Sequence, residues 1–546
     1  MSRHEKWFLA AFSFFLILYT TGPYLFGYFM RPAGFMFTWI SPLHKNDTHV
    51  YYSYIRQAMA GAWSFRDLYT TEVQRVGVLN VFWLLVGWLA HAFGASPAII
   101  SQMVRIALIP IAVWCIYLFA CALFASPRVR MTATVWAVFA GGFGAYVAST
   151  IVRTHFDQAI TSAEFPLDLV AGEFSPYLAF IHSPHFVASL IALLGTLWLI
   201  FRGVSSNRLR YSCAAGVLGL FFFNFHPYYA IPVAFITIVF VLCQIVCHEL
   251  TTRRGLLHVI AVGVLSAPSI FYHAWLMLTD PITMARNLQN VTPTPSFSMV
   301  IISYGGLLLG LGVAIALVAR LRRHTPILRF MAIWAIVSFA ALFLPISFSH
   351  RFVEGLVIPF VFLIVHAITT RGRIQASHFW KKYPLIIAFI FSFIFLATPA
   401  SRTVTMYRFF TKPDHADFEY PDAYPLIYID PDRARVFSAM AKEPVGSMRV
   451  LSGILNNQLI PGETGQISYA GHWAETLDPT IKGDAARAFF KTNDHDGEKQ
   501  AWLKRTGLTH LLYSPLEKVY GEYDPDAKPY LAPVFRSGKV ALYAIK

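Results

Sequence analysis

Long apolar runs separated by short basic loops carry this chain as far as Pro399. The runs near 7–29, 98–124, 131–150, 178–201, 210–224, 228–248, 256–278, 297–320, 326–344, 352–371 and 383–399 are candidates to cross a bilayer. A spanning helix needs roughly 20 apolar residues, so about eleven crossings are predicted. The run at 210–224 is short, and the count can shift by a pair. A further apolar stretch, VGVLNVFWLLVGWLA at 76–90, is shorter still, and loop charge assigns it. The basic loops SPRVR (126–130), RGVSSNRLR (202–210), HELTTRRG (248–255), ARLRRHTP (319–326) and TTRGR (369–373) all fall on the N-terminal, cytoplasmic side if 76–90 does not span. They all flip outward if it does, against the preference of Lys and Arg for the cytoplasmic side. The stretch is therefore predicted to be a juxtamembrane or re-entrant helix. The same parity puts 30–71, 153–176, FHPYY (225–229), 280–296, PISFSHRFVEG (345–355) and the tail outside.

The tail has a different pattern. RVLSG (449–453), THLLYS (509–514) and VALYAI (540–545) predict short buried strands, and IKGDAARAFFK (481–491) and EKQAWLKRTG (498–507) predict helices. The predicted architecture is an all-α polytopic membrane domain over 1–399, with juxtamembrane helices, followed by a small extracytoplasmic α/β domain over 400–546. Roughly 140 residues suffice for an independent core.

Composition agrees: 56% of residues are hydrophobic and 13% charged, with mean hydropathy +0.52, against about 25% charge in a soluble globule. The net charge of +15 sits largely in the short loops that set topology, so nucleic acid is not an expected partner. The N-terminal apolar run is too long for a signal-peptide core and lacks a small-residue cleavage site, which predicts a retained first helix. Cys115, Cys121, Cys213, Cys243 and Cys247 lie in or at the ends of apolar segments, a distribution that suggests neither a disulfide framework nor a metal cluster. No Walker loop, Rossmann fingerprint or His-Glu-x-x-His helix is present, which disfavours a soluble nucleotide-sugar donor. GGFG at 141–144 falls inside an apolar run, where close helix packing is expected.

Candidate chemistry concentrates where the chain first leaves the bilayer. SPLHKNDTHVYYSYIRQAMAGAWSFRDLYTTE (41–72) sets Asp47, Arg56, Arg66, Asp67 and Glu72 among tyrosines. Asp47 or Asn46 suits a helix N-cap and Gly61 a helix end. Val50, Tyr51, Tyr54, Ile55 and Ala58 then form one apolar-aromatic stripe. A carboxylate at 47 would meet a water-soluble acceptor at the membrane surface while a lipid-borne donor approaches from the side. An ordinary N-cap is the plainer account of the same residue.

The stretch DTHVYYSYIRQAMAGAWSFRDLYTTE resembles the acidic, Tyr-rich first external loop of GT-C superfamily glycosyltransferases, including mannosyltransferase-like members and the oligosaccharyltransferase catalytic subunit. The likeness in topology covers the chain to about residue 400, and IPGETGQISYAGHWAETLD (460–478) resembles the outer domain of bacterial members. The resemblance implies transfer of a sugar from a polyprenyl-phosphate carrier, with Asp47 catalytic; Tyr51 and Glu72 in the same stretch are candidate substrate contacts. It also implies a second acid in the next external loop, for which Asp157 is the choice among Asp157, Glu164, Asp168 and Glu173. Many members carry two adjacent acids where this chain has Asn46 and Asp47, so a single general base is expected and a divalent metal is disfavoured.

The leaving phosphate needs a cation. Arg351, beside His350, offers a two-point contact; the plainer account pairs it with Glu354 one turn on. His182, His185 and His226 do not match a metal-ligand spacing and suit hydrogen bonds to phosphate or sugar, or helix-end packing. In GHWAET (471–476), Trp473 suits stacking on a sugar, and His472 and Glu475 suit hydroxyl contacts. The expected partners are a polyprenyl-phosphate-linked sugar, a glycan, lipid or protein acceptor, and membrane lipids. The expected place is the bacterial inner membrane, with the N-terminus cytoplasmic. A transporter or flippase of lipid-linked sugars is the alternative. It would favour polar or broken-helix features near the midplane, of which FNFHPYY is the main candidate.

Overall fold

The computed structural model describes residues 1–45, 47–148, 165–318, 325–374, 384–411 and 423–546. Asp157, Glu164 and Asn46 lie outside the described residues. The first helix, α1, runs Arg3–Phe29, and seven described helices are long and apolar enough to cross a membrane. Leu209–Phe225 and Pro326–Ala341, expected as crossings, are helices of 17 and 16 residues. The stretch expected as a surface helix is Asn80-capped α3, Val81–Phe93, whose 13 residues are too few to span.

The contacts divide the chain into two compact units. One comprises Met1–Pro23, Val104–His273 and Thr292–Thr405; the other comprises Tyr24–Met103, Ala274–Val291 and Met406–Lys546. The tail thus shares a unit with the first loop and with a segment preceding residue 292.

Within the first unit, several expected helices are interrupted. The run at 297–320 breaks at Gly305 into Phe297–Tyr304 and Gly306–Val318, because Gly305 takes φ +42°, which other residues rarely adopt. GGFG is a backbone cradle rather than a site of helix packing alone. The N–H groups of Gly142 and Gly144, at 3.2 and 3.1 Å, and the Thr398 hydroxyl, at 2.6 Å, donate to one oxygen of buried Asp168. The second-loop acids Asp168 and Glu173 are buried.

In the second unit, α2, Thr48–Met59, packs on α3 where Gly87 allows close approach: a Cβ there would lie 2.2 Å from that of Ala58. Two short strands, β1 (Met36–Phe37) and β2 (Tyr428–Ile429), pair antiparallel and tie the first loop to the tail. The tail carries a five-stranded sheet made of β3 (Arg449–Leu451), β4 (Ile467–Ser468), β5 (His510–Tyr513), β6 (Leu531–Ser537) and β7 (Val540–Ile545), in the order β4-β3-β5-β7-β6. Strand β3 is parallel to β4 and β5, while β7 is antiparallel to β5 and β6. Side chains alternate between two cores. Leu451, Leu511, Ala541 and Tyr543 pack with Phe489, Phe490 and Leu503. Val450, Leu512, Val540 and Leu542 pack with Val436, Phe437, Leu459 and Ile460. Burial of both faces explains why apolar residues run consecutively through these strands.

Candidate active site

Asp47 opens α2 but does not cap it. Its backbone is already helical (φ −79°, ψ −22°), and its side chain makes no cap hydrogen bond, because an N-cap side chain needs the extended backbone to reach back to the next amides. The carboxylate turns instead to two histidines. Oδ1 lies 3.0 Å from Nε2 of His472, and Oδ2 lies 3.3 Å from Nε2 of His44, three residues earlier. Asp47 keeps 28% of its side chain exposed, whereas His472 is almost fully buried.

The orientation of His472 follows from its other nitrogen. Nδ1 accepts the backbone N–H groups of Ala474 (3.2 Å) and Glu475 (3.0 Å). An acceptor at Nδ1 puts the ring proton on Nε2, where it is donated to Asp47. The His472 backbone N–H donates to the Thr476 hydroxyl, which donates to the carbonyl of Tyr69. A loop that begins at Gly471 therefore serves to present one N–H to one carboxylate. Gly471 has φ +137°, and a Cβ there would sit 2.6 Å from the Asn457 carbonyl carbon. Gly471→Ala is expected to cost on the order of 1–3 kcal/mol, read as a lowered thermal midpoint.

The expected sugar contacts fall around this pair in different ways. Trp473 is 44% exposed, with its ring 6.0 Å from that of His472. His472 uses both ring nitrogens within the protein, and Glu475 is 2.6 Å from Arg286. Tyr51 stacks on Trp83 at 4.7 Å. Glu72 pairs with buried Lys482 at 2.6 Å and accepts from Thr70. Burial pushes the Glu72 carboxyl up, but the Lys482 and Thr70 hydrogen bonds outweigh it and hold the group below its usual range.

A buried charge cluster went unread in the sequence. Arg286 lies between Glu475 (2.6 Å) and Asp67 (3.6 Å). Burial, then the charge of Glu475, push Asp67 up to about 7 against the pull of Arg286. Asp67 and His44 stood in the quoted loop, but nothing local linked residue 286 to residue 475.

The other candidates belong to the first unit. Arg351 does not pair with Glu354. Its Nη1 lies 3.7 Å from Glu173 and 3.5 Å from the Tyr228 hydroxyl, with the guanidinium 5.3 Å from that ring's centre. Glu354 instead accepts from the Ser189 hydroxyl at 2.6 Å. His226 Nδ1 is 3.2 Å from that hydroxyl and 3.0 Å from that of Tyr228. His185 contacts Ser183 at 2.8 Å and lies 5.4 Å ring to ring from His226. His182 is buried at the end of the helix Pro176–His182. His350 faces the Thr292 carbonyl at 2.9 Å. Among the described residues, no three His, Cys, Asp or Glu are grouped to hold a metal ion.

No family model matches this sequence, and no curated protein matches it. In structure it is similar to ArnT from Cupriavidus metallidurans bound to undecaprenyl phosphate, with TM-score 0.51, 14% identity, and coverage of 100% of this chain and 98% of that one. The chain has a GT-C fold. At TM-score 0.49 it is also similar to the oligosaccharyltransferase AglB from Archaeoglobus fulgidus in complex with an inhibitory peptide and a dolichol-phosphate (14% identity, 100% and 75% coverage). The arabinofuranosyltransferase AftD from Mycobacteria scores 0.49 as well (13% identity, 100% and 40% coverage). The GT-C fold and the apolar helices make this an integral membrane protein.

Proposed function

We propose that this protein is a glycosyltransferase that moves a sugar from a polyprenyl-phosphate carrier to an acceptor hydroxyl on the extracytoplasmic face, with Asp47 as general base. The observation that carries this is the Asp47 carboxylate itself. It is part-exposed, released from capping duty and aimed by two histidines. A carboxylate so held has a fixed direction for taking a proton, which is the first requirement of a base. In the proposed step the acceptor oxygen bonds to the anomeric carbon while its proton passes to Asp47. The anomeric C–O bond breaks with its electrons on the phosphate, which leaves on its lipid. One base and an anionic leaving group suit inversion. Trp473 offers an exposed ring for stacking on a sugar, and Arg351 is the proposed contact to a lipid phosphate. The basic loops support a cytoplasmic N-terminus, and the proposed place is the bacterial inner membrane.

The test is to give purified protein in detergent a set of labelled polyprenyl-phosphate sugars with glycan, lipid and peptide acceptors. Labelled product together with free polyprenyl phosphate supports transfer. Counterflow of intact lipid-linked sugar in vesicles, with no bond cleaved, would replace it with transport.

A further inference from the structure

The helix Pro281–Gln289 joins two loops of the second unit. Asp280 caps it, accepting from the Thr283 N–H (3.0 Å) and hydroxyl (2.7 Å), and its other oxygen accepts the N–H of Arg75 at 3.0 Å. Arg286 and Gln289, three residues apart, share one face of this helix. Arg286 holds the Glu475 carboxylate. Gln289 Nε2 donates to the carbonyls of Ala474 (3.0 Å) and Thr476 (2.6 Å), and its Oε1 accepts the Asp478 N–H at 3.3 Å. The loop 471–478 is thus gripped by the carbonyls on both sides of Glu475, by the Glu475 side chain and by the amide of Asp478. The amides of Ala474 and Glu475 point the other way, onto His472 Nδ1.

We infer that Arg286 and Gln289 are positioning residues: from one helix face they hold the loop 471–478 so that the ring Nε2–H of His472 stays on Asp47. This rests on the proposal that Asp47 is the base. If the clamp loosens, the two amides no longer fix the imidazole, and the carboxylate loses its direction. A misplacement of about 1 Å in a reacting group is worth on the order of a hundredfold in rate.

Two readouts on full-length Gln289→Leu in detergent separate the possibilities. Hydrogen exchange at the amides of 472–478 is expected to quicken at least about tenfold, a loss of local protection that leaves the sheet unchanged. With a labelled polyprenyl-phosphate sugar, kcat is expected to fall about a hundredfold with KM for the donor unchanged. If Gln289→Leu does not fold, Gln289→Lys, which keeps a donor, is measured instead and should show the same two changes, smaller. Unchanged exchange in this loop overturns the clamp, as does slower transfer caused only by a raised KM. Wild-type transfer by Asp47→Asn would remove the base reading, while the exchange result would still decide the clamp.

Discussion

Asp47→Asn is expected to lower sugar transfer by about two to four decades, the range that a positioned base supplies, with the thermal midpoint unchanged. The two halves of this expectation have separate grounds. The amide has the size of the carboxylate and keeps an oxygen that can accept from His472 Nε2, but it cannot take the acceptor's proton. Stability is spared because no cap hydrogen bond is lost: helix α2 starts without one from this side chain. Initial rates and a melting curve on the same detergent sample check both halves. A variant that transfers at the wild-type rate would leave Asp47 as only a partner for two imidazoles. A variant that is slow because it has unfolded would point to a structural role instead.

Arg286→Met is expected to cost the most stability, about 3–5 kcal/mol, the usual loss when one partner of a buried ionic group is removed. Asp67 and Glu475 would then face each other without the cation between them. Adding Asp67→Asn and Glu475→Gln should recover much of the loss, because the uncompensated charge rather than the missing side chain is the main cost. The sign of the pH dependence follows from Asp67. Burial first, and Glu475 second, raise it from the ordinary 3.8 to about 7. The folded state therefore holds this proton more tightly than the unfolded chain does. Its stabilising contribution is full below pH 4, declines as pH rises towards 7, and is lost above. Asp67→Asn should erase that decline, so at pH 8 the variant melts above the wild type, and the gap closes as pH falls. Arg286→Met should show the opposite, a deficit that widens with pH. Thermal midpoints between pH 4 and 8 measure both, and parallel curves for all three proteins would deny Asp67 its shifted titration.

How far the sequence was legible depends on the range of each interaction. The apolar runs marked the seven described helices long and apolar enough to span, and the strands at 449–453, 509–514 and 540–545 lie where consecutive apolar residues placed them. Those signals are local, set by a helix or strand period over a few residues. Loop charge predicted that α3 does not span, and its 13 residues agree. Gly305 was not legible as a break, because a glycine in an apolar run signals packing as readily as positive φ. The Arg351–Glu354 expectation rested on sequence spacing, but the guanidinium lies nearer Glu173, far back in the chain.

The acidic first loop, with Asp47 at the start of a helix, was determined by the sequence alone, since the helix start signal lies within a few residues of the polar stretch itself. Whether that carboxylate would cap its helix or turn to histidines was decided only by tertiary structure. His472 lies 425 residues from Asp47, and Gln289 holds the loop of His472 from a third segment. No local period encodes such a meeting: it arises when buried carbonyls, amides and charges must each find a partner, and the folded chain determines which ones are near.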